Sequence, residues 1–135
     1  MKKTVLSLFL LIGISANADL FKDGSSAYEK GNLDDAISIW SKACSDGFME
    51  ACDKLGSMYY FGYGTEKDQL RAKELFLKVC ISGNGEDCAK VAKMYNYGYT
   101  VKQDKKKATE LYKKACDAGF EEGCKNYYEL KRKGY

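Results

Sequence analysis

Six cysteines placed on a fixed step constrain this chain more than any other feature. They stand at Cys44 and Cys52, Cys80 and Cys88, and Cys116 and Cys124, each pair eight apart and 36 residues after the last. Other columns keep the step: Ala36, Ala72 and Ala108; Trp40, Phe76 and Tyr112; Gly47, Gly83 and Gly119. Tyr59 matches Tyr95, and Gly62 matches Gly98 and Gly134. A period of this size implies a solenoid, in which each unit buries its apolar face only by stacking on its neighbours.

Between these landmarks the apolar spacing is helical. In DQLRAKELFLKVC from Asp68, residues Leu70, Ala72, Leu75, Phe76 and Val79 follow the three-and-four rhythm of one helix face. Asp104 opens a matching stretch with Ala108, Leu111, Tyr112 and Ala115, and Asp34 opens one with Ala36, Ile39, Trp40 and Ala43. An aspartate at each start can accept from free N–H groups and suits the positive helix end. Gly47, Gly83 and Gly119 provide the left-handed exits. Partner helices are expected at roughly 49–61, 85–97 and 121–133. With no proline and few alternating apolar runs, the expected class is all-α.

The turn positions suggest how the cysteines pair. Cys44 and Cys52 lie four residues either side of Phe48, so an antiparallel helix pair sets them at one height. Close packing then brings their Cα atoms within disulfide range. The expected bridges are Cys44–Cys52, Cys80–Cys88 and Cys116–Cys124. Zinc is the competing use of cysteine, but no CxxC occurs and the chain has no histidine. Three equivalent pairs repeated with the fold also read as staples rather than as a redox centre, which favours CxxC at a helix start.

The N-terminus reads as an export leader. Lys2 and Lys3 precede the apolar run Thr4–Ile14, and Ala16-Asn17-Ala18 places small residues before a cleavage point. The rival, a retained anchor, needs a longer run to span a bilayer. The expected organisation is a leader at 1–18 and a repeat domain at 19–135. Its units lie at about 20–55, 56–91 and 92–127, with a capping helix to 135. Cysteine richness fits the same oxidising compartment, so a secreted or periplasmic location is expected. Removing the leader's two lysines takes the formal charge from +3 to +1. Lys105-Lys106-Lys107 and Lys131-Arg132-Lys133 lie on helices laced with acids, a solvated face rather than a nucleic-acid surface.

At this level the residues resemble a known family. LGSMYYFGYGTEKDQLRAKELFLKVC (Leu55 to Cys80) and VAKMYNYGYTVKQDKKKATELYKKAC (Val91 to Cys116) resemble Sel1-like repeats, tetratricopeptide-related helix pairs with a longer internal loop. With a cysteine pair per repeat, the chain is similar to the Helicobacter cysteine-rich proteins. Departures fall at the ends: only five residues separate Gly31 from Ala36, against ten from Gly62 to Ala72, and Lys131 stands in the Tyr59–Tyr95 column.

The resemblance implies a peptide or protein ligand in a concave groove. Carried over from tetratricopeptide grooves, its lining is Ser57, Tyr60 and Phe61, then Lys93, Asn96 and Tyr97, then Arg132 and Lys133. Aromatic, amide and cationic groups together suit an extended peptide with a carboxylate. An ordinary solvated face is the alternative, and Tyr59, Tyr95 and Tyr112 read as core. The resemblance also implies penicillin binding with weak β-lactamase activity, so a β-lactam or peptidoglycan-related ligand stands as the second reading. The chain contains no S-x-x-K, SDN or KTG motif, and a catalytic site is not assigned. No cofactor, no metal, no nucleic acid and no membrane contact of the processed chain are expected, and a monomer is.

Overall fold

Short turns join one helix to the next along the whole described chain. The computed structural model describes residues 2–135, with side chains from Ala16 onward. Seven helices and no strand occur among these residues: α1 Lys2–Glu29, α2 Leu33–Ser45, α3 Met49–Phe61, α4 Gln69–Ile81, α5 Gly85–Tyr97, α6 Lys105–Asp117 and α7 Glu121–Arg132. The backbone of α1 runs unbroken through Ala18. The side chains of the expected leader's apolar run lie outside the described residues, and no described helix is long and apolar enough to cross a membrane.

Each helix packs on its sequence neighbours, α1 with α2, α3 with α4 and α5 with α6, and α7 closes against α5 and α6. The reason is the aromatic column. Trp40, Phe76 and Tyr112 are all buried, and glycines receive the first two rings. A Cβ on Gly56 would lie 2.8 Å from the Phe76 ring, and one on Gly24 would strike the Trp40 indole. Trp40 Nε1 also donates to the Phe21 carbonyl at 3.2 Å, which ties α1 to the stack. Tyr59 is buried and Tyr95 half-buried, with Arg71 and Lys107 seated over their rings at 4.5 and 4.7 Å.

The turns repeat as faithfully as the helices. Gly47, Gly83 and Gly119 take φ of 94°, 110° and 86°, a region that side-chain-bearing residues avoid. Cys44 pairs with Cys52, Cys80 with Cys88 and Cys116 with Cys124, at Cα separations of 4.7, 4.6 and 4.4 Å. Each bridge joins α2 to α3, α4 to α5 or α6 to α7.

Two local expectations are corrected. Asp68 and Asp104 cap their helices, accepting from Arg71 and Lys107 N–H at 2.9 Å, but Asp34 does not. The short connection after Gly31 starts α2 at Leu33, so Asn32 takes the cap position without a side-chain bond and Asp34 falls in the first turn. Leu70 sits on the apolar period yet is exposed, because it lies two residues, about 200° of helix rotation, from the fully buried Ala72. Lys131 is exposed, whereas Tyr59 and Tyr95 of the same column pack beneath Arg71 and Lys107.

Candidate functional site

The alternate helices α1, α3, α5 and α7 present a chain of cavities, and their lining begins with aromatic side chains that the fold leaves uncovered. Phe61 and Tyr97 end α3 and α5, 36 residues apart, and both are more than half exposed. Two residues further on, Tyr63 and Tyr99 fold back onto them. The Phe61–Tyr63 rings stack at 5.5 Å and the Tyr97–Tyr99 rings at 5.4 Å. The glycine ending each helix, Gly62 or Gly98, makes this return possible through its left-handed backbone.

A cavity of about 240 Å³ lies between α3 and α5. Tyr60, Phe61, Tyr97 and Tyr99 line it with Phe76 and Met94, and Ser57, Lys90 and Lys93 are its polar members. A second cavity, about 380 Å³, lies between α1 and α3 and shares Ser57 and Phe61 with the first. Tyr28, Trp40, Lys54 and Tyr63 contribute to it. The third, about 110 Å³ between α5 and α7, shares Tyr97 and is polar, with Asn96, Lys105, Asn126, Glu129 and Lys133. Shared walls make the three a single track.

The eight residues expected in the groove therefore divide. Ser57, Tyr60, Phe61, Lys93 and Tyr97 meet at the central cavity, and Asn96 and Lys133 meet at the third. Tyr60 is half-buried, its ring 6.4 Å from Phe76 and edge-on to Phe61. Asn96 is buried, only 9% exposed, and its Oδ1 accepts from Lys105 Nζ at 3.4 Å. Burial pushes the Tyr112 phenol well above its ordinary pKa. Arg132 is exposed at the last residue of α7, and Lys133 pairs with Glu129 at 2.7 Å. Lys93 pairs with Glu122 of α7 at 2.6 Å. Tyr63, Tyr99, Lys54 and Lys90 escaped the sequence reading. The same 36-residue step, from Tyr63 to Tyr99 to Tyr135, would have shown the first two.

Lys90 carries the electrostatics of the central cavity. Its ammonium donates to Asp53 Oδ1 at 2.6 Å and to Asp87 Oδ1 at 2.9 Å, and sits 4.7 Å from the Phe76 ring centre. Burial works against its charge, but the two carboxylates outweigh that and raise its pKa. Asp87 is 1% exposed, in a column that holds Ala51 and Gly123 elsewhere. Its Oδ2 is buried without a hydrogen-bond partner. Burial pushes this carboxyl up to about 6 from 3.8, against the pull of Lys90.

A stability effect follows with a definite sign. The folded state holds the Asp87 proton more tightly than the unfolded chain, so this group costs nothing below pH 3.8, and its cost grows until about pH 6. Relative to an Asp87→Ala variant, which copies Ala51, the wild type should lose about 2 kcal/mol between these limits. Urea titrations of both proteins across that range check it. Parallel pH profiles would show that Asp87 holds its proton equally in the folded and unfolded chain.

Paired helices stapled at alternate turns and open along one side define an α/α solenoid of the tetratricopeptide kind. The Sel1 repeat family model matches residues 50–84 and 86–120, which are α3 with α4 and α5 with α6. The chain belongs to the Sel1 repeat family. In that frame Cys44–Cys52 and Cys80–Cys88 each bind the end of one unit to the start of the next.

Among relatives, the Helicobacter pylori (strain J99) protein named "Putative beta-lactamase HcpE" is 47% identical over 45 residues, which is 33% of this chain and 13% of HcpE. HcpE of strain 26695 is 48% identical over 42 residues, 31% of this chain and 12% of its own. This chain thus spans a small part of the curated relatives it matches. Of solved structures, c5321, a protective antigen of uropathogenic Escherichia coli strains, aligns with a TM-score of 0.76 at 23% identity over 88% of this chain and 26% of that one. A Sel1 repeat protein from Oxalobacter formigenes gives 0.75 at 23% identity, covering 82% of this chain and 47% of its own. Helicobacter pylori cysteine-rich protein B gives 0.64 at 22% identity, covering 81% and 92%. These likenesses concern the fold.

Proposed function

We propose that the chain is an extracytoplasmic binding module that holds an extended peptide or protein segment along the α1, α3, α5 and α7 track. The observation that carries this reading is the pair of uncovered aromatic stacks, Phe61–Tyr63 and Tyr97–Tyr99, standing at a cavity with two lysines. Large aromatics left to solvent favour association, and such rings dominate binding energy where they occur. Ser57 and the lysine ammonium groups offer donors to carbonyls and carboxylates, as an extended backbone requires. Three disulfides support a site of action outside the reducing cytoplasm.

Cross-linked pull-down from the native envelope tests the reading. A Tyr97→Ala, Tyr99→Ala variant should keep its helicity and melting point and recover partner at least about tenfold less well, as loss of hot-spot aromatics implies. Tyr60→Ala adds a stability cost, because that ring is half-buried against Phe76. Undiminished recovery by the folded variant would remove the groove from the account. The second reading, β-lactam binding with weak hydrolysis, has the name of HcpE in its favour. Turnover of a chromogenic cephalosporin by the oxidised protein, above a heat-killed control, decides it.

A further inference from the structure

The central cavity is lined mainly by apolar side chains with Ser57, and Lys90 and Lys93 supply its charged groups. Behind Lys90 stand carboxylates from two helices. Asp53 comes from α3, Asp87 and the more distant Glu86, at 3.9 Å, from α5 itself, and α4 contributes the Phe76 ring. Lys93, one turn on, is held by Glu122 of α7. The ammonium that a ligand would meet is therefore already engaged by acids on the far side.

We propose that the Asp53–Lys90–Asp87 cluster makes this cavity a proton-controlled site for apolar anions, which it binds more tightly as pH falls below neutral. The inference rests on the groove reading and adds its regulation. Asp87 is the carboxylate able to switch. It is buried in a column of Ala51 and Gly123, one oxygen engages Lys90, and the other is buried without a partner. A proton on that free oxygen removes one negative charge from the cluster and leaves Lys90 balanced chiefly by Asp53. The potential in the cavity then rises, and an anion seated against Lys90 gains. Reciprocally, a bound anion must strengthen the hold of Asp87 on its proton. Burial places this titration at about 6, within reach of compartments outside the cytoplasm.

The test uses the oxidised chain and two dyes of nearly the same shape. Anilinonaphthalene sulfonate carries a charge that does not titrate near neutrality, and N-phenyl-1-naphthylamine carries none. Fluorescence titrations at about pH 5 and about pH 7.5 should show the sulfonate binding about fivefold tighter in acid, the low end of ordinary site coupling. The neutral dye should bind equally at both. Asp87→Asn, and Asp87→Ala as a second variant that copies Ala51, should bind the sulfonate tightly at both pH values. Tyr97→Ala should weaken both dyes, which locates them, and near-ultraviolet circular dichroism should be unchanged across the range. Sulfonate binding that ignores pH, or that keeps its pH dependence in both Asp87 variants, overturns the inference while the groove stands. Failure of both dyes to bind the folded protein overturns the cavity as a binding site, and the inference with it.

Discussion

Reduced protein should melt at least about 20 °C below oxidised protein, with a broader transition. Each bridge closes a loop of eight residues' separation, for which the chain-entropy model gives about 2–3 kcal/mol. Three of them amount to about 6–9 kcal/mol, set against the roughly 5–15 kcal/mol that holds a typical domain together. A loss of that size moves the melting point by tens of degrees in a chain of this length. Placement makes the effect larger than loop entropy alone. The bridges join units that otherwise communicate only through nearest-neighbour packing, so their loss weakens the coupling that makes the stack melt as one. Surviving helices should keep their positions, because the aromatic column, not the sulfur, sets their register. Melts with and without reductant, followed by far-ultraviolet circular dichroism, decide the matter, and coincident curves would show that the cysteines are not staples.

Phe76→Ala should be the most damaging single core substitution in the middle of the stack, at about 3–5 kcal/mol. The ring is buried against Gly56, lies beside Tyr60 and carries the Lys90 ammonium on its face. Gly56 offers no side chain to collapse into the space, so the cavity stays open. Phe76 also lines the central cavity, and the same variant should lose ligand and stability together. Tyr97→Ala should separate the two, since an exposed ring ordinarily costs within about 0.5 kcal/mol. Urea denaturation of both variants tests the contrast. A Phe76→Ala cost below about 1 kcal/mol would mean that the ring is not what seats α4 on α3.

Helix identity and register were legible because they repeat. Three copies of a column, such as Ala36, Ala72 and Ala108, average away local exceptions, and all three are buried. Where the repeat breaks, the reading slipped. The shortened connection after Gly31 moved the start of α2 from Asp34 to Leu33. The groove was half legible: its lining follows from position on α3 and α5, which is periodic. Asn96 shows the limit, since it stands in the column of Tyr60 yet is buried, with its Oδ1 accepting from Lys105.

The all-α class, the 36-residue repeat, its glycine turns and the cysteine pairs that face each other across them could all be read from the amino-acid order. Each depends on spacing along one chain, and spacing survives without coordinates. What lies between neighbouring helix pairs came from the folded molecule alone. It shows Tyr63 and Tyr99 folding back onto Phe61 and Tyr97, and Lys90 reaching 37 residues along the chain to Asp53. It also shows Asp87 losing its water. Burial and charge contact depend on which helices come to lie side by side and how far their side chains reach, and a column of letters carries neither distance.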